Sequence, residues 1–107
     1  MALTDKKCVP CEGGVEPFDR AKIEEMLPQV PGWELKNGNL CREFKFKNFV
    51  ENMKFINKVA DLAEEEGHHP DFCVYYNRIE FQIRTHAING LSENDFILAA
   101  KISELAD

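Results

Sequence analysis

The chain of 107 residues has no long apolar run. A helix that spans a bilayer needs roughly 20 such residues, so a membrane span is not expected. Basic residues are in short supply as well. Thirteen Lys and Arg stand against 19 Asp and Glu, for a formal net charge of −6. A chain of that sign repels phosphate backbones, which argues against nucleic acid as a direct partner. Cysteine is sparse, at four. Cys8-Val-Pro-Cys11 has the spacing of zinc and redox sites, but a zinc ribbon needs a second such pair, and Cys41 and Cys73 stand alone. The expected reading is reduced thiols in a reducing compartment, two of them buried. Repeats and low-complexity stretches are absent. Met1 to Lys7 carries two lysines with no apolar run behind them, so a secretory signal is not expected and a cytoplasmic location is. Aromatics, by contrast, are plentiful: eight Phe, two Tyr and one Trp, far too many for a solvated chain. With 44% hydrophobic and 30% charged residues, the length suits one globular domain.

Residues 1–17 hold Pro10, Gly13, Gly14 and Pro17 and read as an irregular N-terminal arm, poor in core-forming residues; residues 18–107 read as the domain. Asp19 is an expected N-cap for a helix that carries Ile23, Met26 and Leu27 inward and stops at Pro28 and Pro31. Trp33 to Lys36 alternates as a strand, Asn37-Gly38 is a hairpin signal, and a second strand follows from Leu40 to Phe46. Asn48 caps a helix over Phe49 to Glu66. On it Val50, Met53, Ile56, Val59, Ala60 and Ala63 fall on one face at 100° per residue, with Phe55 and Leu62 on a second apolar ridge. Gly67 supplies the stop. A strand over Phe72 to Tyr76, a turn at Asn77-Arg78 and a strictly alternating strand over Ile79 to Arg84 come next. Ser92 to Asp95 reads as a capping box ahead of the last helix, which is apolar on more than one side. The order α-β-β-α-β-β-α predicts a single-domain α+β fold: a four-stranded antiparallel sheet with three helices packed on one face and the opposite face free to be polar. The ridge at Phe55 and Leu62 and the two-sided last helix predict self-association.

The three histidines of the chain, His68, His69 and His86, lie within nineteen residues of one another. They sit at chain junctions, where side chains tend to enter clefts. Imidazoles titrate near neutral pH, so a cluster of them suits proton transfer. Glu64, one turn ahead of His68, is placed to orient one ring. A zinc set of three His, or of His with Cys73, is the competing reading. It is disfavoured because no pair of His or Cys has helical i, i+4 spacing, and Gly67 separates Glu64 from His68. By strand parity Phe72, Val74 and Tyr76 share one face and Cys73 and Tyr75 the other, so one tyrosine is placed to stack on a flat ligand.

Glu64-x-x-x-His68-His69-Pro70, Tyr76-Asn77, Thr85-His86 and Gly90-Leu-Ser-Glu-Asn-Asp-Phe96 together resemble the pterin-4a-carbinolamine dehydratases, also called 4a-hydroxytetrahydrobiopterin dehydratases. The stretch Glu93 to Ile102, the opening Lys7 to Gly14 and Pro31-Gly-Trp33 resemble the bacterial form. The resemblance implies homodimers or homotetramers of the fold just described. It implies a hydro-lyase that removes water from a 4a-hydroxytetrahydropterin to give a quinonoid dihydropterin, in tetrahydropterin recycling, with no cofactor and no metal. It points to His68, His69 and His86 as essential, with Glu64 assisting, and to Tyr76, Pro70 and Thr85 as substrate-binding residues. Gly67 stands where some members place an acidic residue. Animal members also bind a transcription factor, for which nothing in this sequence speaks. The alternatives are a catalytically silent pterin-binding or oligomerisation module, and a role in another pterin pathway such as molybdopterin metabolism.

Overall fold

The computed structural model describes residues 2–9 and 16–106. Asp19 and Asn48 each stand just ahead of a helix with extended backbone, and each accepts the N–H of the third residue on. Lys22 N–H donates to Asp19 Oδ1 at 2.8 Å and Glu51 N–H to Asn48 Oδ1 at 2.9 Å. These caps start α1 (Arg20–Met26) and α2 (Phe49–Glu66). The hairpin between β1 (Glu34–Lys36) and β2 (Asn39–Lys45) turns on Asn37 at φ 50° and Gly38 at φ 80°, the positive pair that a tight two-residue turn requires. β3 (Asp71–Val74), β4 (Arg78–Ile83) and α3 (Glu93–Ala106) complete the predicted order.

The strands form one antiparallel sheet in the order β1-β2-β4-β3. On its inner face Leu40, Phe44, Ile79, Phe81 and Ile83 are buried against Phe55, Ile56, Val59, Phe96 and Ile102 of the helices. Four rings cluster there: Phe44, Phe55 and Phe81 meet pairwise at centroid distances of 5.1 to 6.1 Å, and Trp33 closes on Phe44 and Phe81 at 6.2 Å. Edge-to-face and tilted aromatic contacts of this kind add to the area they bury. The outer face is polar. Glu34, Lys36, Cys41, Glu43, Glu80 and Gln82 line a broad hollow of about 380 Å³ on it.

The inward face of α2 differs from the predicted stripe. Ile56, Val59 and Ala63 are buried, but so are Asn52, Phe55 and Glu66, whereas Val50 and Ala60 are exposed. The buried stripe is rotated by about 60° from the one read by counting apolar positions. Two side chains account for the rotation. Phe55 outweighs Val50 and Ala60 in apolar area. Asn52 Nδ2 donates to the carbonyls of Tyr75, Tyr76 and Arg78 at 2.7, 3.3 and 3.4 Å, pinning the β3–β4 turn to the helix. Phe55 is therefore core and not part of a free ridge.

The arm is also more than an irregular tail. A 3-10 turn at Leu3–Asp5 lays Leu3 against α3, and both Leu3 and Cys8 are buried. Lys6 pairs with Glu93 at 2.9 Å, and Asn94 clasps Val9 with two hydrogen bonds, at 3.0 Å from Val9 N–H and 2.6 Å to Val9 O. The second apolar side of α3, expected to seek another subunit, is covered in part by this arm. Of the two buried thiols expected, Cys8 is buried, Cys41 half-buried and Cys73 exposed; Cys11 lies outside the described residues, as do Pro10, Gly13 and Gly14 of the arm.

Candidate active site

Gly67 ends α2 in the left-handed region, at φ 67°, and the His68 N–H reaches back to Ala63 O at 3.2 Å. This cap turns the chain from the helix into β3 and leaves the His68-His69 pair at the bend. The antiparallel register pairs Asp71 with Gln82. Continued by two residues, it sets His69 abreast of Arg84. Beyond β4, Thr85 and Gly90 face each other through two backbone hydrogen bonds of 2.9 and 3.4 Å and pinch off a short loop that carries His86. The two histidine blocks, separated in sequence by β3 and β4, thus share one end of the sheet. They line a cleft of about 230 Å³ with Arg84, Thr85, Asn94 and Val9 of the arm.

Each imidazole faces a carboxylate. His68 Nε2 lies 2.6 Å from Asp95 Oδ1, with Asp95 fully buried and the His68 side chain 11% exposed. Asp95 Oδ2 accepts both the Thr85 hydroxyl and the Ser92 N–H, each at 2.8 Å. The Ser92 bond is the side-chain half of the predicted capping box. A carboxylate already accepting two hydrogen bonds takes a third from His68 Nε2–H, which leaves Nδ1 as the site where a proton exchanges. His69 Nε2 meets Glu64 Oε2 at 2.5 Å, both groups well exposed. His86 Nε2 stands 3.8 Å from Asp71 Oδ2, and its Nδ1 accepts a long bond from Arg84 Nε–H at 3.4 Å.

The buried pair is the firm one, because desolvated charge-assisted bonds keep their strength while exposed ones are diluted by water. Glu64 was legible from its spacing, and the structure brings it to His69. Asp95 was read only as a cap, and Asp71 and Arg84 were not singled out. Thr85 lines the cleft and is buried. Pro70 is buried and does not line it. Tyr76 is not part of it: it lies past the opposite end of β3, exposed, with its ring stacked on Phe49 at 6.3 Å. The hollow on the outer sheet face is larger but holds no imidazole. Among the described residues no three His, Cys, Asp or Glu groups are disposed to hold a metal ion.

Behind the cleft a second buried group anchors its wall. Glu66 accepts the Cys8 N–H and the Lys101 ammonium, both at 2.8 Å. Burial alone would raise its carboxyl, but these two donors outweigh it and hold the group below the ordinary carboxylate value. Burial first, and then the Glu66 charge, push the Cys8 thiol up to about 12.

The sequence model of the pterin 4 alpha carbinolamine dehydratase family matches residues 16–105. The chain belongs to that family. A protein of Halorhodospira halophila, provisionally assigned as a pterin-4-alpha-carbinolamine dehydratase, is 53% identical over 107 residues, covering 98% of each chain. One of Methylococcus capsulatus with the same provisional assignment is 52% identical, covering 98% of this chain and 94% of its own. Among solved structures, a Brucella melitensis protein described as a transcriptional coactivator/pterin dehydratase superposes with a TM-score of 0.82 at 31% identity, over 86% of this chain and all of its own. A pterin dehydratase-like protein described as a RuBisCO assembly factor in the alpha-carboxysome shares the fold, at a TM-score of 0.59 and 23% identity.

Proposed function

We propose that this member of the dehydratase family removes water from a 4a-hydroxytetrahydropterin by acid–base catalysis at His68, His69 and His86. The observation that carries the reading is the convergence of three imidazoles on one small cleft, each set against its own carboxylate. The substrate hydroxyl sits on a carbon bonded to N5. The N5 lone pair expels it once the oxygen gains a proton, and loss of the N5 proton completes a quinonoid dihydropterin and one water. The reaction is redox-neutral and needs one acid and one base near neutral pH, which imidazoles supply. His68, held through Nε2 by Asp95, exchanges its proton at Nδ1. His86 is held at Nδ1 by the Arg84 N–H and faces Asp71 with Nε2. His69 is the most exposed of the three and is steadied by Glu64. Pro70 and Thr85 act by fixing the histidines and Asp95, and Tyr76 has no place in this reading. A cytoplasmic role in tetrahydropterin recycling fits this chemistry. No helix among the described residues is long and apolar enough to cross a membrane.

The test is turnover of synthetic 4a-hydroxytetrahydropterin by the parent and by His68→Ala, His69→Ala and His86→Ala. Removing one such group typically costs on the order of a hundredfold to ten-thousandfold, and the variants are expected to melt near the parent temperature. Activity is expected to persist with chelator. Near-parent turnover in all three variants, or dependence on added zinc, would sink the reading in favour of a pterin-binding module or a metal enzyme.

Self-association belongs to the same reading, though its surface is not the one predicted. β3 is an edge strand exposed along its length, and Phe49, Val50, Tyr75 and Tyr76 lie exposed around its far end. An open edge beside an apolar patch is suited to pairing with a second copy. Light scattering at micromolar concentration is expected to give at least a dimer; a monomeric mass would end the idea.

A further inference from the structure

Arg84 is the first residue past β4, on the same parity as Glu80 and Gln82 of the outer sheet face. Its planar guanidinium offers five N–H donors. Two are engaged, Nη1–H with Asn89 Oδ1 at 3.0 Å and Nε–H with His86 Nδ1 at 3.4 Å. Neither acceptor is a carboxylate, and three donors, two of them on Nη2, have no acceptor among the described residues. Arg20 and Arg78, by contrast, are paired with Glu24 and with Glu43 and Glu80, and Arg42, also without a carboxylate, is laid on the Phe44 ring and bonded to Ser103 and Pro31 O, away from the cleft. In a chain with 19 acidic residues, a guanidinium without a carboxylate at the lip of a cleft is poised for an outside acceptor.

Its position says where that acceptor comes from. Arg84 lines the histidine cleft and also an adjoining groove of about 420 Å³ between Pro17, Phe18, Asn37, Gly38 and Asn89. It is the one charged side chain among the described residues lining that groove. Its anchor is fixed in advance: Asn89 is held at φ 51° with its N–H on His86 O at 3.1 Å. A ligand whose ring lies on the histidines and whose side chain leaves towards the groove must pass this guanidinium.

We propose that Arg84 seats an anionic side chain, a phosphate or a carboxylate, on the pterin that this site takes. The inference rests on the dehydratase reading and narrows its substrate class. The forked N–H pattern of guanidinium matches either oxyanion, and such charge-assisted bonds are about twice as strong as neutral ones. The negative charge of the whole chain would otherwise disfavour such a ligand, so a cation with no carboxylate partner among the described residues has a large effect on selection at the junction.

Stable oxidised pterins carrying a neutral dihydroxypropyl, a phosphorylated or a carboxylated side chain are titrated into the full chain and followed by pterin fluorescence. The parent is expected to bind one or both anionic forms about tenfold or more tightly than the neutral form. Which of the two binds tighter identifies the oxyanion. Arg84→Gln is expected to collapse that ratio towards one, and Arg84→Lys to keep part of it. The ratio is read because Arg84 touches His86, and absolute values change with that contact. Raising the salt concentration is expected to weaken only anion binding, and only in the parent and Arg84→Lys. Equal affinities in the parent, or an unchanged ratio in Arg84→Gln, overturn the proposal. A ratio lost on mutation while the parent turns over no 4a-hydroxytetrahydropterin upholds the anion seat and removes the dehydratase reading instead.

Discussion

Asp95 commits both of its oxygens, one to His68 and the other to Thr85 and Ser92. An Asp95→Asn change keeps the volume but presents an N–H where His68 Nε2 now donates. The ring must then accept at Nε2 and carry its proton on Nδ1, reversing which nitrogen works. Turnover is expected to fall about tenfold to a hundredfold, in kcat more than in KM, because the group positions and does not itself touch substrate. The amide oxygen keeps the Ser92 and Thr85 bonds, so the cap survives and the urea midpoint is expected to move little. A second residue-level consequence concerns thiols. With Cys8 raised to about 12 by burial and by Glu66, it carries almost no thiolate at pH 8. Exposed Cys73 is expected to be labelled quickly by a thiol reagent at that pH, and Cys8 only after unfolding, as mapped by peptide mass. Rapid labelling of native Cys8 would mean that the arm leaves its seat. At this scale the sequence brings the histidines and Glu64 forward as candidates, because imidazole is rare and spacing on a helix is local. Asp95, Asp71 and Arg84 escape because their partners lie across the fold, and an acid in a capping box already has a sufficient local explanation.

The elements meet at close quarters around Gly90. Phe18 N–H donates to Leu91 O at 2.8 Å, and a Cβ on Gly90 would stand 2.5 Å from Pro17 Cβ. Gly90→Ala therefore has to push the entry to α1 away from the loop carrying His86. The expected loss is about 1–3 kcal/mol, which in a domain of this size lowers Tm by several degrees per kcal/mol. An Ala variant melting with the parent would mean that this junction yields freely. Local signals place the elements well. Asp19, Asn48, Asn37-Gly38 and Gly67 each do the job their residue type suggests, because caps and tight turns depend on a few adjacent atoms. The face of α2 is different. Its orientation is a contest between Phe55, Asn52 and the small apolar residues, decided by a sheet that a helical periodicity does not contain. Tyr76 escapes for a related reason: parity gives the side of a strand, but not which end of it holds the cleft.

Across the whole molecule, the Glu66–Lys101 pair and the Cys8 N–H tie the arm, α2 and α3 together, and Val9 carries that connection into the cleft wall. Because the folded carboxyl titrates below its ordinary 4.5, its contribution to stability is fully present above that pH. It is lost as pH falls through the lower folded value. Parent and Glu66→Gln are expected to differ by about 1–3 kcal/mol at pH 7 and to converge as pH falls below the carboxyl's ordinary range in urea unfolding; a constant gap would place the effect in packing. The arm is expected to matter to ligand binding through Val9, and Asn94→Ala, which unclasps it, to raise KM. The α+β order and the sheet were legible throughout, since strand alternation and turn chemistry repeat along the chain.

His68 and His69 follow the end of a helix, Thr85 and His86 follow the end of a strand, and Asp95 sits in the first turn of another helix. None of these candidate site side chains is a rung of the sheet or a member of the aromatic cluster. Inheritance of the scaffold is thereby separated from inheritance of the chemistry. Under the proposed chemistry, substitutions at the junctions can erase or retune the reaction without touching the aromatic cluster. A lineage built this way is free to change occupation without first having to change its architecture.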